Sequence, residues 1–228
     1  MITTFAPTAR VLIVNDDAFE LATTAASLRQ HCISVVGEAR NSYIAENLFR
    51  TLRPEVVLVN LEQSGEASVG ILQKMRIVDP TLGIVITTAC PDLRIFGLLE
   101  KNIPSGSQVI FKENMTDISI LTRAISESLV AAIEGSKMKW VNFDSSKHEH
   151  SQLLLMGQMT NIQVDTLKLV AQGLSNSEIA KVRFVSEKSV EQIVARIAQH
   201  LSITPDRRRN LRVILVGEYF KWLGAPKL

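Results

Sequence analysis

Short, unbroken apolar runs recur along the first 134 residues, and a helical pattern follows each of them. Arg10 to Val14, Ile33 to Gly37, Val56 to Val59, Ile84 to Ile86 and Val109 to Phe111 read as buried strands. Phe19 to Gln30, Tyr43 to Leu52, Val69 to Val78, Leu93 to Leu99 and Ile118 to Ile133 carry the helical period. Strands that are apolar throughout must be covered on both faces, and crossover helices supply that cover. The pattern therefore predicts an α/β unit with a five-stranded parallel (βα)5 sheet. In such sheets the working residues collect beyond the carboxyl ends of the strands. Asp16, Asn60, Thr87 and Lys112 all follow or end strands, so topology alone predicts that they converge at one edge.

The pattern lapses from 135 to 157, a polar, aperiodic stretch read as a linker, in which His148 and His150 lack a third ligand for metal. From 158 to 228 the character is purely helical, giving a small all-α, four-helix domain. Thr160 starts its first helix and Gly173 stops it. Ser175 with Glu178 spells a capping box for the second, Ser186 caps the third, and Pro205-Asp206 precedes the fourth. Two short helices joined by a brief turn form a helix-turn-helix pattern.

Charge divides along the same boundaries. Residues 1–134 carry 11 Lys/Arg against 15 Asp/Glu, a net of −4, and residues 158–228 carry 11 against 6, a net of +5. The basic half has the sign that nucleic acid attracts. No signal peptide and no membrane-length apolar run is legible, so a cytoplasmic protein with no membrane association is expected. Cys32 and Cys90 lack metal-ligand spacing and read as reduced thiols. No nucleophile–base pair and no metal cluster is spelled out, which argues against an enzyme and against a cofactor.

Leu169-Val170-Ala171-Gln172-Gly173-Leu174-Ser175-Asn176-Ser177-Glu178-Ile179-Ala180, followed by Phe184-Val185-Ser186-Glu187-Lys188-Ser189-Val190, resembles the DNA-binding domain of LuxR/NarL-type regulators. Residues 10–134 resemble the receiver domain that usually precedes it, so the chain looks like a NarL/FixJ-class response regulator. In that family an acidic pair follows the first strand, an aspartate ends the third, a threonine or serine ends the fourth and a lysine ends the fifth. Here those positions read Asn15-Asp16, Asn60, Thr87 and Lys112, and the aromatic switch position is Val109. Phosphoryl transfer needs an anionic oxygen nucleophile, and Mg²⁺ prefers carboxylate ligands. The resemblance thus implies a degenerate phosphorylation pocket, in which Lys112 is expected to pair with Asp16.

The resemblance also implies that the third helix of the domain enters the major groove. Carried over by position, the candidate DNA contacts are Lys188, Ser189, Gln192 and Arg196, with Asn176 and Ser186 near the backbone. Arg207, Arg208 and Arg209, together with Arg212, open the last helix either as a candidate phosphate-contacting cluster or as a solvated helix face. Glu191 stands where a lysine is common and opposes phosphate. The expected function is a DNA-binding transcription regulator that acts without aspartate phosphorylation, as a homodimer on double-stranded DNA. The rival expectation is an adaptor whose helix-turn-helix binds another regulator or RNA polymerase.

Overall fold

A computed structural model of the chain describes residues 9–61, 65–90, 92–115, 117–141, 158–204, 206 and 208–223. The chain divides into two compact units, Met1–Ala89 with Leu98–Phe143, and Cys90–Gly97 with Asp144–Leu228.

The first unit is built on β1 (Arg10–Val14), β2 (Ser34–Ala39), β3 (Val56–Asn60), β4 (Gly83–Thr88), β5 (Gln108–Phe111) and β6 (Lys139–Val141). They form one sheet in the order β2-β1-β3-β4-β5-β6, and every pairing is parallel. The central strands β3 and β4 are buried along their whole length, as the apolar runs Val56–Val59 and Ile84–Ile86 within them require. Helices α1 (Ala18–Gln30), α2 (Ser42–Leu52), α3 (Gly65–Val78) and α4 (Ile118–Glu134) make four of the crossovers, and 3-10 turns lie in the one from β4 to β5. Their starts are specified locally: Asp17, Asn41 and Asp117 each accept a backbone N–H from the first turn of α1, α2 and α4. Gly135 ends α4 in the left-handed conformation at φ 64°.

Two elements depart from the sequence reading. Leu93 to Leu99 was expected as one short helix, but Leu93–Phe96 and Glu100–Asn102 are separate 3-10 turns, interrupted by Gly97 at φ 76°. The sixth strand lies in the stretch read as linker. Lys139–Val141 is too short to show a period, and its identity comes from pairing with Gln108, Val109 and Ile110 of β5.

The second unit contains α5 (Asn161–Ala171), α6 (Asn176–Arg183), α7 (Glu187–His200) and α8 (Leu211–Trp222). Thr160 and Gln163 form a reciprocal capping box on α5. Ser175 Oγ accepts from Glu178 N–H at the start of α6, while the Glu178 carboxylate pairs with Lys181 at 2.7 Å. Val164, Leu167, Ile179, Val190, Ile197 and Leu215 close the core, which also takes in Cys90 and Ile95. Arg94 Nη1 donates to Met159 O at 2.7 Å within this unit. Among the described residues, no helix is long and apolar enough to cross a membrane.

Candidate functional site

At the carboxyl edge of the sheet, Asn60, Thr87 and Lys112 line one cavity, as the topology predicts, and Asn15 rather than Asp16 joins them. Asn15 and Asn60 are more than nine-tenths buried at the ends of β1 and β3. Asn60 Nδ2 donates to Asn15 Oδ1 at 3.2 Å, and Asn15 Oδ1 also accepts from Asp17 N–H at 3.0 Å. Thr87 Oγ1 donates to Val59 O at 3.5 Å. Val109, at the expected switch position, is fully buried in β5.

Asp16 does not take the place assigned to it. Its side chain is exposed, and Lys112 pairs with Glu20, with Nζ 2.7 Å from Oε1 and 2.9 Å from Oε2. Glu20 Oε2 also accepts from Asn15 Nδ2 at 2.9 Å and from Asn60 Nδ2 at 3.3 Å. The reason is helical geometry. Asp17 is the N-cap of α1, which makes Glu20 the N3 residue. Such a glutamate commonly turns back onto the cap's own N–H. Here Asn15 Oδ1 already takes that N–H, and the Glu20 carboxylate turns to Lys112. Sequence reasoning missed Glu20, although the Asp17-x-x-Glu20 spacing was a visible signal.

The cavity measures about 20 Å³, room for about one water molecule. The side chains do not suit a divalent cation. Two of the three expected carboxylates are amides, and Asp16 lies outside the cavity lining. Among the described residues no group of three His, Cys, Asp or Glu side chains could hold a metal ion.

The helix-turn-helix presents a different surface. Val190, Val194 and Ile197 fix the inner face of α7 in the core. Lys188, Gln192 and Arg196, spaced by four, are exposed in a row on the outer face, with Glu191 exposed beside them. Ser186 caps α7 by accepting from Ser189 N–H at 3.1 Å, and the two hydroxyls lie 2.8 Å apart. Both serines are thus engaged in ordering the start of the helix. Asn176 Oδ1 accepts from Arg212 Nη1 at 2.6 Å, and Arg212 also donates to Leu174 O. Arg212, read from the sequence as part of the phosphate-contacting cluster, therefore clamps α6 to α8. Arg208 and Arg209 are exposed in the turn before α8, and Arg207 lies outside the described residues. The turn between α6 and α7 carries Phe184, left-handed at φ 55° and 95% exposed.

Residues 158–208 match the family of bacterial regulatory proteins described as the luxR family. They are a luxR-family helix-turn-helix domain. With its receiver-like first unit, the chain is homologous to NarL/FixJ-type response regulators. It is 27% identical over 206 residues to the transcriptional regulatory protein LiaR of Bacillus subtilis, covering 86% of this chain and 92% of that one. It is 22% identical over 195 residues to the DNA-binding transcriptional activator EvgA of Escherichia coli, covering 83% and 90%. The fold resembles that of RcsB from Salmonella enterica serovar Typhimurium bound to the promoter P1flhDC, with a TM-score of 0.53, 21% identity and coverage of 95% and 99%. An RcsB–DNA complex matches at a TM-score of 0.52 and 22% identity, covering 94% and 98%.

Proposed function

We propose that this chain is a transcription regulator that binds double-stranded DNA through α7, acts as a homodimer and works without aspartate phosphorylation. The observation that carries the reading is the row Lys188, Gln192 and Arg196, exposed on α7 opposite its buried face. A lysine or arginine can reach phosphate or guanine, and a glutamine can pair with adenine. Arg208 and Arg209 supply further positive charge. Support for a dimer is the outward stripe of Val213 and Phe220 on α8, 68% and 45% exposed. Support for phosphate independence is the amide at Asn60, since an amide provides no anionic nucleophile. The domains assigned are a receiver-like scaffold that extends past residue 134 to take in β6, and 158–228 as the DNA-binding module.

Duplexes selected from a random library, titrated in a mobility-shift assay at two salt concentrations, test this reading. Wild type binds with an affinity that falls steeply with salt. K188A/Q192A/R196A loses on the order of a hundredfold or more, at about 1–3 kcal/mol per contact, with unchanged thermal stability. A wild-type chain that selects no motif sinks the DNA reading. One observation favours the second reading, an adaptor that binds another regulator or RNA polymerase: Glu191 and Phe184 place a negative charge and an aromatic on or beside the same helix. Under that reading capture of the protein partner survives the triple substitution.

A further inference from the structure

We propose that Glu20 is a built-in anion that occupies the former phosphorylation pocket and holds the sheet edge in one arrangement, masking a latent anion site. The proposal rests on the reading that this pocket works without phosphorylation. One carboxylate gathers three donors that come from the ends of three different strands. Lys112 follows β5, Asn15 follows β1 and Asn60 ends β3, and their donors lie 2.7 to 3.3 Å from Glu20. These are the directions in which an external anion would otherwise be bound.

The two asparagines and the glutamate make chemical sense only as a set. A carboxylate at position 15 or 60 would face Glu20 at hydrogen-bond distance and repel it, since like charges that close oppose joint ionisation. An amide keeps one acceptor oxygen at each position and replaces the other with a donor. The same two changes that remove the metal charge and the nucleophile therefore create the seat for Glu20. Lys112 and Glu20 bring one positive and one negative charge into direct contact. The remaining cavity of about 20 Å³ has room for about one water, and a tetrahedral anion enters only if Glu20 leaves. Because Glu20 sits in the first turn of α1, its contacts also tie that helix to the ends of β3 and β5. Asn60 Oδ1, buried and without a hydrogen-bond partner among the described residues, leaves one acceptor in the cavity for that water.

The test is thermal unfolding of the full chain with and without sulfate, inorganic phosphate or beryllofluoride. Wild type shows no anion-dependent shift. E20A melts lower by about 3 °C or more and gains a saturable stabilisation by sulfate or phosphate that the double variant E20A/K112M lacks. E20Q, which keeps the volume of the side chain, loses stability and gains no anion site. If E20A folds poorly, formate or acetate restores its melting temperature by replacing the missing carboxylate. An E20A protein with wild-type stability and no anion response overturns the proposal, as does a wild type that takes up these anions as strongly as E20A. Failure of the underlying reading registers separately, as a phosphoryl adduct on wild type after incubation with acetyl phosphate and Mg²⁺.

Discussion

At the sheet edge, Lys112, Asn15 and Asn60 direct their donors at Glu20, and nearly no free volume remains. On α7, Lys188, Gln192 and Arg196 stand exposed in a row over a packed apolar face. Both regions are polar and both sit on well-capped elements, yet one is chemically closed and the other open. A polar group that meets its partners inside the protein contributes to stability and is withheld from ligands. A polar group held outward by a buried face contributes little to stability and remains available for recognition. On the reading proposed above, the receiver-like unit keeps its sheet architecture with the chemistry of this edge turned inward.

The strongest challenge to that contrast is to put an aspartate back where the resembled receiver family carries one. Asn60→Asp replaces a donor 3.3 Å from Glu20 Oε2 and 3.2 Å from Asn15 Oδ1 with an acceptor. Two contacts are lost and two carboxylates face each other, for an expected cost of about 2–3 kcal/mol at neutral pH. The sign with pH follows from linkage. Repulsion raises the folded carboxylate pKa above its unfolded value, so the penalty is present at neutral pH and fades on acidification through the carboxylate range. Urea unfolding at pH 7 and at about pH 4.5 reads this directly. The variant is not expected to accept a phosphoryl group from acetyl phosphate, since Glu20 still holds Lys112. Phosphorylation of Asn60→Asp would break the contrast by showing that the pocket opens readily.

A smaller effect is expected on the open side. Phe184 ends α6 in the left-handed region, where a Cβ is unfavourable and glycine is usual, and its ring is 95% exposed. Phe184→Gly removes the strain while giving up almost no burial, and should stabilise the protein by about 1 kcal/mol. Calorimetry should register a rise of about 2–4 °C. A fall in melting temperature would mean that the ring packs on something, and that the turn is not open in solution.

Most of the fold was legible because it is written in periodicity. Unbroken apolar runs such as Val56–Val59 have few other uses than a covered parallel strand, and Thr160, Ser175 and Ser186 announce helix starts through their own hydrogen bonds. Lys139–Val141 was illegible because three residues carry no period, and its strand identity depends on β5. The pocket was legible to the extent that strand ends converge by topology. Its decisive residue was not, because the rotation of Glu20 away from its own cap depends on Asn15 Oδ1 having taken the Asp17 N–H. Arg212 was misread for a similar reason: next to other arginines it looks solvent-facing, whereas Asn176 and Leu174, some 36 and 38 residues earlier, claim its guanidinium.

The two cysteines repeat the contrast in one chemical group, with no expected effect on stability at neutral pH. Cys32 is exposed, whereas Cys90 is 1% exposed in the core of the second unit, and burial pushes its thiol up to about 12. Only the thiolate is a nucleophile, so at pH 8 a thiol reagent should modify Cys32 quickly and Cys90 only through unfolding. Cys32→Ser should abolish the fast phase and leave the slow one. The folded thiol titrates above the ordinary value of 9.0, so its share of stability is fully present below pH 9.0 and is lost as pH rises toward about 12. Two fast equivalents at pH 8 would mean that the core around Cys90 opens far more often than its packing with Ile95, Val164 and Leu167 implies.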